Sequence, residues 1–208
     1  MGKERYFYSK REEFCMNDIP IARPKKDDQL FKVDNDWYCN AHLNYKDYNW
    51  NFYSEGYKRA ATLLIEHIKN NHFDQDTLVY PIVFLYRHYI ELGLKEIIKY
   101  GSQLLDMSEE FPKHNKMDEL WKQCRKILEQ ETLCTRIPEE QLNAVEECIQ
   151  QLSEKDPESF AFRYPTDKNN NPSLPGLEHI NLINFSEVME RIATFFDGVI
   201  TGVYVSLD

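Results

Sequence analysis

Between Asp76 and Tyr100, apolar residues recur at three- and four-residue steps: Leu78, Ile82, Leu85, Tyr89, Ile90, Leu94, Ile97 and Ile98. A run of this length and period predicts an α-helix. Its apolar residues wrap much of the circumference, which places it centrally among other helices. Asp76 or Thr77 is suited to its N-cap. Pro81 falls within about the first turn, where a missing N–H costs least. Gly101 is suited to its C-terminal stop.

Four further helices follow from the same kind of pattern. Tyr53, Tyr57, Ala60, Ala61, Leu64 and Ile68 share one face of a helix over 51–70. Leu120, Cys124, Ile127 and Leu128 mark one over 116–131, with Asn115 as a candidate cap. Leu142, Val145, Cys148, Ile149 and Leu152 mark a helix from Pro138 to Lys155, proline being favoured at a helix start. A last helix begins at Asn184 or Ser186 and buries Val188, Ile192, Phe195, Phe196, Val199, Ile200 and Val203. The expected fold is all-α, an up-and-down bundle of about four to five helices with short connections between antiparallel neighbours.

Residues 1–49 keep no sustained period, and Pro20, Pro24 and the charged run Lys25–Asp28 interrupt any helix. The division expected is therefore an N-terminal extension, 1–49, and a helical domain, 50–208. Trp37, Tyr38, Tyr45, Tyr48 and Trp50 make the extension aromatic enough to be expected to lie on the bundle and bury those rings. Residues 156–181 read as an ordered, irregular loop that contains Phe160–Pro165.

The formal net charge of -10 opposes generalised binding to a phosphate backbone, although a local basic patch stays compatible with it. The acidic stretch Glu139–Asp156 reads as a solvated helix face. Met1–Lys10 is charged and lacks the apolar core of a leader, and no run has the roughly 18 apolar residues of a membrane span. Five widely spaced cysteines fit reduced thiols. A cytoplasmic protein without membrane association is expected.

No Gly-rich phosphate loop, H-E-x-x-H or G-x-S-x-G is present, and no cofactor is expected. Cys39 and His42 have a metal-like spacing but lack a second ligand pair, so packing explains them better and no metal is expected. The polar residues that stand out lie on the central helix. Arg87, Glu91 and Lys95 are spaced by four, a charge ladder that His88 can join. Charges on so apolar a helix must pair, line a cleft or reach solvent. A cleft lined by Arg, His and Glu could bind phosphate and move protons; the alternative is a solvated ladder on the helix's one exposed edge. Arg163 and Tyr164 form a second candidate, with Arg163 directed at an anion or paired internally with Glu91 or Asp156. His114, before the third helix, is the remaining binding candidate or a simple turn residue.

Tyr86–Ile98, His114–Trp121 and Asp156–Pro165, in this order and spacing, resemble the E-L-x-L-K helix, the His-containing turn and the R-Y-P stretch of the HEPN superfamily. The resemblance covers roughly residues 50–205. It implies an up-and-down bundle, often a homodimer. Many relatives are metal-independent RNases of toxin–antitoxin, phage-defence and RNA-processing systems, and others are binding or scaffolding domains. The catalytic relatives carry an Arg and a His separated by four to six residues. Here no histidine has an arginine five to seven positions before it, and Arg87 and His88 are adjacent. Arg59 and His67, eight apart, diverge by about 80° around a helix. The expectation is therefore a HEPN-like binding or regulatory module, homodimeric or with another protein partner, in a defence, toxin–antitoxin or stress setting. The alternative is an endoribonuclease with a rearranged site of Arg87, His88, Glu91 and Arg163, for which RNA or a nucleotide would be the ligand. A third reading is an assembly subunit with an exposed apolar patch.

Overall fold

A computed structural model describes residues 23–43, 49–107, 111–130 and 137–207. It divides into Met1–Leu43 and Asn44–Asp208. In the first unit, the described residues form a loop with one 3-10 turn, Trp37–Cys39, whose start is capped by the Asp36 carboxylate accepting from the Tyr38 N–H. Within this unit Trp37 and Tyr38 do not pack into a core of their own and are 69% and 95% exposed. Tyr45 and Tyr48 lie outside the described residues.

The second unit is all-α. Its helices are α1 (Asn49–Asn71), α2 (Gln75–Leu104), α3 (Met117–Leu128), α4 (Glu139–Lys155) and α5 (Leu182–Leu207). The five predicted elements all form, most with a small shift of their ends. Helix α2 packs against α1, α3 and α5, so it occupies the centre that its apolar circumference predicts. The core gathers Ile65, Ile90, Leu94, Trp121, Ile149 and Phe196, all buried. Trp50, at the start of α1, packs edge-on against Phe111.

The boundaries differ from expectation for identifiable reasons. Asp74, in a left-handed conformation, takes the N-cap position of α2 instead of Asp76 or Thr77. Its carbonyl accepts from the Leu78 N–H, while its carboxylate is drawn back to His67 Nε2 at 3.0 Å. Gly101 does not stop α2, which continues to Leu104. A Cβ at Gly101 would lie 2.5 Å from Ile127 Cγ2, so this glycine lets α3 approach closely. Asn115 is not the cap of α3; Lys116 holds that position. Helix α5 starts earlier than expected because Asn181 Oδ1 accepts the N–H groups of Ile183 and Asn184.

Helix α4 packs against α3. Between α4 and α5 a groove of about 650 Å³ is left open. No helix among the described residues is long and apolar enough to cross a membrane.

Candidate functional site

The ladder on α2 is not solvated. Arg87 is fully buried, Glu91 is 2% exposed and the Lys95 side chain 13% exposed. The four-residue step stacks the three side chains along one ridge, and α2 carries that ridge under the α2–α3 connection and the end of α4.

Arg87 is satisfied by three separate segments. Its Nη1 donates to Glu91 Oε2 at 3.2 Å, and its Nη2 to the Asn115 carbonyl at 3.1 Å. Its Nε donates to the Asp156 carbonyl at 3.2 Å and lies 3.3 Å from Asp156 Oδ2. The N–H is aimed at the carbonyl, so Oδ2 contributes charge rather than a second hydrogen bond. The other carboxylate oxygen of Asp156 accepts the backbone N–H groups of Phe160 and Ala161. One buried carboxylate thus folds the start of the Phe160–Pro165 stretch back onto the ladder. Burial pulls the Arg87 guanidinium down from its ordinary pKa, against the pull of Asp156 and Glu91.

Lys95 Nζ bridges Glu91 Oε1 and Asn115 Oδ1, each at 3.0 Å. Asn115 spends both its carbonyl and its side chain on α2 cations, which is why it is not available to cap α3. Burial pushes the Glu91 carboxyl up, but His88 and Lys95 beside it outweigh that, and it is held below the usual carboxylate range.

His88 sits at the outer edge of this network, its side chain 25% exposed. Its Nδ1 is 3.8 Å from Glu91 Oε2, a charge contact too long for a hydrogen bond. Its ring stacks parallel to Phe84 and takes Tyr57 edge-on at 4.4 Å between centroids. Arg163 does not pair with Glu91 or Asp156 as expected. Its Nε donates to the Ser159 carbonyl at 2.6 Å. Its guanidinium lies over the rings of Phe84 and Tyr164, 5.6 and 5.7 Å from their centroids. Phe160 and Tyr164 stack on each other.

The candidates therefore fall into two layers. Arg87, Glu91 and Lys95 form a closed internal network, joined by Asp156 and Asn115, whose role there the sequence did not announce. Outside it, His88 and Arg163 share the Phe84 ring, with Tyr164 beyond. His114 joins neither layer; it contacts Glu119 at 3.4 Å and accepts the Lys116 N–H. Phe84 carried no polar signal, and only its four-residue step to His88 could have pointed to it; Tyr57 comes from α1, and nothing in the sequence linked it to His88.

Chemically, every nitrogen of Arg87 is already engaged and the side chain is fully buried, so the inner layer does not present it to a substrate. Arg163 keeps its two terminal nitrogens unbonded to protein among the described residues, so it can meet an anion. Among the described residues no three His, Cys, Asp or Glu side chains converge as metal ligands. Cys39 donates to Asp36, and His67 is bonded to Asp74 and Asn71. In comparisons with protein-family models, curated proteins and solved structures, nothing matches this chain.

Proposed function

We propose that the chain is a HEPN-like binding or regulatory module without RNase catalysis, acting as a homodimer or with another protein partner in a defence, toxin–antitoxin or stress setting. The observation that carries the non-catalytic part is the state of Arg87. It is fully buried, and each of its three nitrogens is engaged by Glu91, Asn115 or Asp156. An arginine that stabilises a transition state must reach the reacting oxygen, and this one would have to abandon three partners in a dry interior. The family resemblance and the absent Arg–His spacing support the same reading.

A second reading rests on His88 and Arg163. A quarter-exposed imidazole beside a buried carboxylate, with an arginine on the same aromatic ring, is a set suited to proton transfer next to a phosphate. It makes the chain a metal-independent endoribonuclease that uses His88 and Arg163, with Arg87 and Glu91 as support.

Purified protein incubated with single-stranded and structured RNA in a chelator separates the two. The module predicts intact RNA. Cleavage that folded His88→Ala and Arg163→Ala variants both lose would overturn it and establish the second reading.

A further inference from the structure

The groove between α4 and α5 has no role in either reading. Its 650 Å³ portion is lined by apolar side chains such as Ile137, Val145, Phe195 and Val199. A second portion of about 310 Å³ continues it toward Phe162 and Asn184. The two share Cys148, Val188 and Ile192, so they form one slot along the helices. From Asn184 to Val203 on α5 that slot runs on the order of 30 Å, the length of a helix of about twenty residues.

The walls suit a helix. Gly198 and Gly202 on α5 line the slot and have nothing within 4 Å of where a Cβ would stand. Ala144 lies on the α4 side. Small residues on both walls let another backbone come close, and an amphipathic helix laid in an apolar groove is a recurring recognition mode.

The rim selects the occupant by charge. Glu140, Glu147 and Glu154 are exposed and spaced by seven along α4. Seven residues return to nearly the same side of a helix, and Glu154 itself lines the slot, so all three flank it. None has an ion pair among the described residues. Two cations also line the slot, Arg191 on α5 and Lys155 beside Glu154 at the end of α4, both exposed and without an ion pair among the described residues, so the acidic edge of α4 is broken only at its C-terminal end. A second copy of this chain, at net charge -10 and carrying the same glutamate row, is a poor match for that rim. An anionic lipid surface fails for the same reason.

We infer that the α4–α5 groove receives one basic amphipathic helix of a partner protein, its apolar stripe in the slot and its Lys or Arg flank along Glu140, Glu147 and Glu154. This rests on the binding-module reading and names the partner's chemistry.

The test uses the full chain and a labelled peptide of about twenty residues, with leucines at i, i+3, i+4 and i+7 repeats, a lysine flank at seven-residue spacing and one glutamate on the opposite flank. A second peptide exchanges the lysine flank for glutamate. Fluorescence anisotropy is expected to show the lysine peptide binding at least about tenfold more tightly, weakening as salt rises. The triple variant Glu140→Lys, Glu147→Lys, Glu154→Lys is expected to reverse the order. Gly198→Trp, which fills the slot, is expected to lose both peptides while circular dichroism stays helical. No saturable binding, equal affinities, or an order that the triple variant leaves unchanged would sink the proposal. So would a dimer in light scattering that Gly198→Trp dissociates, since a second copy would then own the groove. RNA cleavage is scored on the same preparation: cleavage with peptide binding removes the non-catalytic reading alone, and intact RNA without peptide binding removes the groove's occupant alone.

Discussion

Arg87 and Asp156, 69 residues apart in the chain, meet in the interior with Nε 3.2 Å from the Asp156 carbonyl and 3.3 Å from its carboxylate. This contact ties the middle of α2 to the point where α4 ends and the Phe160–Pro165 stretch begins. A buried charge group of this kind adds little net stability by itself, because desolvation offsets attraction. Its dependence on completeness is what can be measured.

Removing Arg87 takes a cation from two buried carboxylates: Glu91 keeps Lys95, but Asp156 loses its counter-charge and keeps only the N–H groups of Phe160 and Ala161. Arg87→Ala is expected to lower unfolding free energy by about 3–5 kcal/mol. Arg163→Ala, which removes one hydrogen bond and exposed ring contacts, is expected to lower it by no more than about 1–2 kcal/mol. Urea unfolding of both variants checks the ranking. Equal losses would remove the ranking, and a larger loss in Arg163→Ala would mean that Arg163, not Arg87, anchors the loop.

Glu91 predicts a stability that falls in acid. Its folded pKa lies below the ordinary 4.5, so the unfolded state binds the proton more readily. The stability it contributes is complete above the unfolded value and is lost as pH falls through the folded one. Thermal midpoints of the wild type should therefore decline below about pH 4.5. The decline should be shallower in Glu91→Gln, from a lower starting point at neutral pH. An identical acid slope in the two proteins would remove Glu91 from the account.

Glu96 predicts the opposite slope. It is 1% exposed, accepts from the Tyr204 hydroxyl at 2.9 Å through Oε1, and leaves Oε2 without a partner. Burial raises its pKa above 4.5. The stability linked to its proton is present below the unfolded value and is lost as pH rises through the raised folded value. Glu96→Gln keeps the acceptor for Tyr204 and cannot ionise. It should raise the thermal midpoint at neutral pH and change little in acid. A variant less stable at neutral pH than the wild type would show that the ionised carboxylate is tolerated there.

The helices were legible because apolar spacing is a local property, and each of the five has it. The depth of the ladder was not. Arg87, Glu91 and Lys95 at four-residue steps look alike on a solvated edge or under a loop, and the deciding partners, Asn115 and Asp156, are supplied by folding from 28 and 69 residues away in the chain from Arg87. Gly101 was misread for a related reason. A glycine near the end of an apolar run serves equally as a stop or as a place for another helix to come close, and only the position of Ile127 distinguishes them. The Glu140, Glu147 and Glu154 row was visible as acidity, but its place on the rim of a groove depends on where α5 lies.

Two glycines test the packing of the bundle in opposite directions. At Gly93, where α2 meets α5, a Cβ would stand 2.7 Å from the Phe196 ring, and Phe196 is fully buried and has nowhere to retreat. Gly93→Ala should therefore cost about 1–3 kcal/mol through overpacking. Phe196→Leu alone should also destabilise, but the double variant should lose less than the two losses added, because the smaller side chain makes room for the methyl. Gly198, in the middle of α5, is exposed and has open space at the Cβ position. There only the backbone term remains, and Gly198→Ala should stabilise by up to about 1 kcal/mol. Denaturant midpoints of the four variants provide the check: strict additivity at positions 93 and 196 would place the α2–α5 crossing elsewhere, and a loss at 198 would mean that another surface already covers that face of α5.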